Sequence, residues 1–302
     1  MSDQSEPTIR AFELDGRRLS YEEWGAGEQP IVLLHGLLLD AHLNRGIARG
    51  LAARGHRVLL LDLLGHGRSD KPAHAAEYRM DTYASQVVGL LDHLDLDDAV
   101  VGGVSLGANV TLHLGVLHPE RVRAMLIEMP VLERAVPAAA LTFVPALVGV
   151  HYALPLARLV TRLARWVAPT GNDLVDGVLA PVVMPPETAT AILHGILVGP
   201  VAPTIDARRG ITAPALVVAH GADLLHPFSD AEHLVEQLPS ARLVRARNIL
   251  ELRVMPERLL GEITAFLDEV WSAPRPRRSA ARPAPGRSRL RAAGGDPRSA
   301  TS

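Results

Sequence analysis

The chain contains no cysteine. That excludes disulfides, thiolate metal sites and cysteine nucleophiles, and it fits a reducing, cytoplasmic setting. Aromatic residues fill only 4% of the 302 positions, so the core must be aliphatic. With 48% apolar and 21% charged residues there is ample material for one, which excludes global disorder. A large net charge is also lacking, the formal total being −2. Residues 273–302 nevertheless carry eight arginines and one aspartate, which leaves residues 1–272 at −9. An acidic body argues against nucleic acid as the main partner. The Pro-, Ala-, Gly- and Ser-rich basic stretch is expected to be a disordered, solvated tail, although such an arm can bind nucleic acid or anionic lipid.

No hydrophobic signal region opens the chain, whose first residues are polar and acidic. The longest uncharged run, 23 residues from Ala135 to Ala157 between Arg134 and Arg158, is long enough to span a bilayer. Pro137, Pro145 and Pro155 each interrupt a continuous helix there, and His151 is costly in hydrocarbon. The run therefore reads as a buried or pocket-lining segment, with no transmembrane helix expected.

What is present is an alternation of short aliphatic runs with helical patterns. The strand candidates are AFEL, RRLSYEEW, IVLLHG (31–36), RVLLLDLLG (57–65), DAVVGGV (98–104), RAMLIEM (123–129), ALVVAHG (215–221) and ARLVRAR (241–247). The middle runs are continuously apolar, the pattern of parallel strands buried on both faces. Helical patterns fall between them, the last, PERLLGEITAFLDEVW, opening with Pro256 at a plausible first helical position. The alternation predicts an α/β fold: a mostly parallel sheet with helices on both faces, binding its ligand outside the carboxyl ends of the strands. Ser105, His35 and Asp223 each closely follow a strand run and should meet at that edge. Between residues 131 and 210 the alternation stops, which predicts a helical cap inserted into a core of residues 10–130 and 211–272.

The stretch Gly103-Val-Ser105-Leu-Gly107 lies between an apolar run and a helical one. A serine on such a strand-to-helix turn sits near positive φ, and the flanking glycines let the two backbones pass closely. It also faces the free N–H groups at the start of a helix. No Lys-Ser/Thr pair follows Gly107 and no G-x-G-x-x-G opens the helix, so phosphate-loop and dinucleotide readings fail.

Taken in order, HGLL (35–38), DLLGHGRSDKP (62–72), GVSLG (103–107), HGADLLHP (220–227) and PERLLGEITAFL resemble the α/β-hydrolase-fold family, in its serine-nucleophile, helical-cap form, over roughly residues 10 to 270. The resemblance implies Ser105 as nucleophile and an oxyanion hole from the backbone N–H groups of Leu37 and Leu106, with His35 and Gly36 structural. Preset donors of this kind stabilise an oxyanion by about 3–4 kcal/mol each. It implies Asp223 as the acid, in a loop running to Pro227. Glu128 is a second candidate acid at the same edge, while Asp62 and Asp70 read as turn formers. No cofactor is called for. His220, His226 and His233 are spaced by six and seven and no carboxylate completes a metal set.

One more absence matters most. In the family the base follows the last strand, shortly before a Pro-Glu that opens the closing helix. Here that segment runs from Arg245 to Glu257 without a histidine, and the last of thirteen histidines is His233. Asn248 or Ile249 occupies the place, and neither accepts a proton at neutral pH. Three explanations stay open: His226 reaches Ser105 from the Asp223 loop; His220, His151 or His194 serves; or the triad is broken and the fold is a small-molecule binder.

The nearly uncharged insertion would make an apolar pocket suited to an acyl chain, an alicyclic ring or a lactone. Arg158, Arg162 and Arg165 recur at helical spacing and read as a solvated face. The sequence thus points to a hydrolase of small lipophilic esters or lactones. Haloperoxidase-like or carbon–carbon hydrolase chemistry would use the same residues. Dehalogenase and epoxide hydrolase chemistry is disfavoured, because those relatives place an aspartate where Ser105 stands. Oligomeric state is not legible.

Overall fold

The computed structural model describes residues 6–274 except 168 and 222; nearly all of the arginine-rich stretch lies outside the described residues. All eight strand candidates are strands. β1 (Thr8–Leu14) and β2 (Arg17–Trp24) pair antiparallel, followed by β3 (Pro30–Leu34), helix α1 (Arg45–Ala52), β4 (Arg57–Asp62), α2 (Met80–His93), β5 (Ala99–Val104), α3 (Leu106–Leu117) and β6 (Val122–Glu128). Five helices then intervene: α4 (Val136–Tyr152), α5 (Leu154–Ala164), α6 (Asp173–Val183), α7 (Pro186–Val198) and α8 (Ile205–Arg209). The sheet resumes with β7 (Ala215–Ala219), α9 (Phe228–Gln237), β8 (Ala241–Arg245), α10 (Glu251–Val254) and α11 (Glu257–Ser272).

The sheet order is β1-β2-β4-β3-β5-β6-β7-β8, antiparallel at β1-β2 and β2-β4 and parallel thereafter. The continuously apolar runs explain the burial, since β3, β5 and β7 are buried at every position. Successive strand residues point to opposite faces, and the core divides accordingly. Val32, Leu34, Leu59, Leu61 and Val101 pack with Tyr83, Leu112 and Leu234 of α2, α3 and α9. Ile31, Leu33, Val58, Leu60 and Val100 pack with Leu51, Leu259 and Phe266 of α1 and α11. Each such side chain contributes about 1.5–3 kcal/mol on leaving water.

β3 lies between β4 and β5, so strand order reverses there, and a crevice opens where the loops after β3 and β5 diverge. Leu34 and Gly103 pair at that end, one residue before His35 and two before Ser105.

Two prolines behave differently from expectation. Pro145 lies inside α4 and does not end it, whereas Pro137 and Pro155 sit in the first turns of α4 and α5, where a missing N–H costs nothing. Pro145 deprives the Leu141 carbonyl of its helical donor, and Leu141 is exposed, so burial adds no cost there. Pro256 stands one position ahead of α11 with near-helical angles. Among the described residues no single helix is long and apolar enough to cross a membrane; α4 and α5, bent by 96°, satisfy length and composition only as a pair.

Candidate active site

Ser105 sits between β5 and α3 with φ 53° and ψ −108°, the left-handed region expected of a serine on this turn. Such a conformation costs a non-glycine residue about 1–3 kcal/mol, held here by the strand and helix on either side. Its N–H continues the sheet by donating to the Glu128 carbonyl (2.9 Å). The glycines are required by close approach. A Cβ on Gly103 would lie 2.7 Å from the Leu34 carbonyl oxygen, and one on Gly107 2.6 Å from the same atom.

The loop after β7 brings His226 to this serine. His226 Nε2 lies 2.9 Å from Ser105 Oγ, and Nδ1 lies 2.8 Å from Asp223 Oδ2. The other oxygen, Oδ1, accepts the N–H groups of Leu225 (2.8 Å) and His226 (3.3 Å). One carboxylate thus folds its own loop with one oxygen and holds the ring with the other, which is how residues three apart point at each other. Partial burial opposes charge on Asp223, but the hydrogen bond from His226 and the backbone N–H groups hold its carboxyl below the usual range. With Nδ1–H donating to that carboxylate, Nε2 is the acceptor for the serine hydroxyl.

The loop after β3 is built on two buried histidines. His35 Nδ1–H donates to the Gly36 carbonyl (2.9 Å) while Nε2 accepts the Leu63 N–H (3.1 Å). His66 Nδ1–H donates to the Leu64 carbonyl (3.0 Å) and Nε2 accepts the Leu38 N–H (3.2 Å). Burial lowers the pKa of both, His66 well below the ordinary value, so both are neutral rings serving as struts. Leu38, at φ 60°, turns the chain there. The N–H groups of Leu37 and Leu106 find no partner among the described residues, and both residues line the cavity over Ser105. His66 stands in the quoted DLLGHGRSDKP run, but its strut role has no local signal.

The segment that lacks a histidine folds into α10 and supplies Ile249, Leu250 and Arg253 to the cavity wall. Glu251, buried, is bound by Arg258 (2.7 and 2.9 Å) and by the Arg247 N–H. These hold its carboxyl at about 2, the Arg258 bond contributing most. Glu128, the second candidate acid, is engaged by both terminal Arg253 nitrogens (3.2 and 2.7 Å) and by no histidine among the described residues. His220 donates to the Gly221 carbonyl, its Nε2 3.6 Å from Asp223. His151 and His194 are exposed and do not line the cavity. Asp62 and Asp70 accept backbone N–H groups of the 62–70 turn and its neighbours, as expected of turn formers; burial pushes the Asp62 carboxyl up. Among the described residues no group of three or more His, Asp or Glu is arranged to hold a metal ion.

The cavity above Ser105 encloses about 670 Å³. Leu37, Met129, Phe143, Leu174, Leu193 and Ile196 typify its walls, drawn from the core loops and from α4, α6 and α7. Beyond Ser105 and His226 its polar side chains are Asn109, Glu133 and Arg253, each already partnered: Glu133 by Arg208 and Arg253 by Glu128. Asn109, one turn after the serine, bonds the Val131 N–H and carbonyl and the Val201 carbonyl, tying both ends of the inserted helices to α3. Asp230 of α9 accepts three N–H groups ahead of α4, from Leu132, Arg134 and Ala135. Neither role was legible, because each joins segments remote in sequence.

Residues 29–247 match the model of the alpha/beta hydrolase fold family. Among curated proteins, the chain is 35% identical over 127 residues to the 2-hydroxymuconate semialdehyde hydrolase of Pseudomonas sp. (strain CF600), covering 41% of this chain and 44% of that one, less than half its length. Among solved structures, the enol-lactonase from Burkholderia xenovorans LB400 superposes with a TM-score of 0.69 at 22% identity, over 86% of this chain and 100% of that one. A thermophilic esterase from Thermogutta terrifontis gives 0.70 at 22% identity, over 88% and 99%. The family match spans most of the chain, and the solved structures share the fold over 86–88% of it: the chain belongs to the α/β-hydrolase fold family.

Proposed function

We propose that the protein is a serine hydrolase acting on a small lipophilic carboxylic ester or lactone. The observation that carries this reading is the unbroken relay from Asp223 through His226 to Ser105, with contacts of 2.8 and 2.9 Å. Ser105 Oγ attacks the carbonyl carbon as its proton passes to His226 Nε2. The oxyanion is held by the Leu37 and Leu106 N–H groups, which have no partner among the described residues to release. Collapse expels the alkoxide, which takes the proton from His226 and leaves an acyl group on Ser105. His226 then deprotonates a water that attacks the acyl carbon, and the acid departs. Asp223 stays ionised throughout and stabilises the imidazolium.

The inserted helices act in this reading as a cap that supplies the apolar cavity walls. With Glu133, Arg253 and Asn109 engaged by protein groups, no side chain among the described cavity residues offers an unpaired charge to a substrate, which favours an uncharged acyl group. A fluorophosphonate probe should label Ser105, and p-nitrophenyl ester turnover should fall by up to about a million-fold in Ser105→Ala or His226→Ala. An unlabelled Ser105, or turnover unchanged in His226→Ala, would overturn the assignment in favour of a binding role without catalysis.

A further inference from the structure

α4 carries no charged residue, and none of its side chains is buried. Val136, Ala139, Ala140 and Phe143, at i, i+3, i+4 and i+7, line the cavity. Leu141, Val144, Val148 and Tyr152 occupy the opposite face, with Leu141 78% and Tyr152 83% exposed.

α5 inverts the usual amphipathic order. Its small side chains face inward: Thr161 is buried and Ala157 and Ala164 are half-buried. Leu156, Leu159, Val160 and Leu163 form an outward stripe at helical spacing, continued on the next turn by Trp166, 79% exposed. Arg158, Arg162 and Arg165 run along one flank of that stripe. Arg158 pairs with Glu187, while Arg162 and Arg165 have no acidic partner among the described residues. From residue 134 to 171 the sequence has four arginines and no acidic residue, in a chain whose residues 1–272 sum to −9.

We propose that α5 and the outer face of α4 dock on the surface of a bilayer containing anionic lipid. A contiguous apolar surface with a tryptophan at its end and a cationic flank matches the headgroup–acyl boundary, where aromatic rings and arginines both find partners. The helices lie on the membrane and do not span it. They have 17 and 11 residues and meet at 96°, where a spanning helix needs about 20. A second copy of the chain is a poorer occupant, because a two-fold contact would set the arginine rows against each other with no acid between them. On the hydrolase reading above, α4 separates bilayer from cavity, so an apolar substrate would reach Ser105 from the membrane side.

The test is flotation of the full-length protein with vesicles of phosphatidylcholine alone or mixed with phosphatidylglycerol, which requires no turnover and so stands apart from the fate of Ser105. The chain should float with the anionic vesicles, with a blue shift of tryptophan emission that Trp166→Phe abolishes. Leu159→Glu/Leu163→Glu/Trp166→Glu, whose side chains all point outward, should remain unbound while keeping the far-UV spectrum and melting temperature of the wild-type chain. Arg162→Ala and Arg165→Ala, which leave the apolar stripe intact, should weaken binding about fivefold each. Failure of the wild-type chain to float overturns the proposal. So does flotation retained by the triple variant, which would move the contact to the arginines of residues 273–302. So does a wild-type dimer that the triple variant makes monomeric.

Discussion

His226 follows Asp223 by three residues and lies 2.8 Å from it, with the Leu225 and His226 N–H groups bound to the same carboxylate. Acid and imidazole therefore form one folded unit, and the loop that presents them is shaped by the carboxylate itself.

On the proposed reaction this unity has a kinetic consequence. Asp223→Asn should lower kcat by about ten-thousand-fold, because an amide that donates to Nδ1 reverses the tautomer and turns Nε2–H toward Ser105. Groups that act together lose their effect together. Asp223→Ala/His226→Ala should thus be little slower than His226→Ala alone, by steady-state ester hydrolysis. Multiplying effects would mean that the two act independently.

Asn109 bonds Val131 at one end of the inserted helices and Val201 at the other. Asn109→Ala removes the side-chain partner of the Val131 N–H and carbonyl and one partner of the Val201 carbonyl. It should destabilise the protein by about 1–3 kcal/mol, read as a shift in urea midpoint at unchanged slope.

Glu251 holds α10 in place, with its carboxyl held at about 2 against an ordinary 4.5. A folded pKa below the unfolded one contributes stability that is complete above the unfolded value and is lost as pH falls toward the folded one. The melting temperature of the wild-type chain should therefore exceed that of Glu251→Gln by a constant margin above about pH 4.5, and the margin should close as pH falls toward about 2. A gap independent of pH across that window would show that the carboxylate charge is not what anchors the helix.

The layout of the sheet was legible because burial on both faces demands continuous apolar runs, and β3, β5 and β7 are such runs. Ser105 was legible as a turn serine because Gly103 and Gly107 flank it, and each is needed where Leu34 passes. The struts and ties were not. His66, Asn109 and Asp230 hold carbonyl and N–H groups of remote segments, and a lone polar residue in a sequence looks the same whether or not such a group awaits it. Nor was the direction of the exposed stripe on α5, since a period of 3.6 marks one apolar face without saying whether core or solvent meets it.

By itself the sequence determined the strand order along the chain, the serine on its turn, the Asp223 loop after β7 and the absence of a histidine beyond His233. Those depend on local backbone preference and on composition, which neighbours in the chain dictate. Only the tertiary structure decided which histidine meets the serine. Ser105 and His226 are 121 residues apart, and the gap closes because β5, β6 and β7 are successive strands of one sheet whose carboxyl ends share an edge. Where the Asp223 loop turns on its own carboxylate, the missing late histidine leaves no gap in the hydrogen-bonded chain.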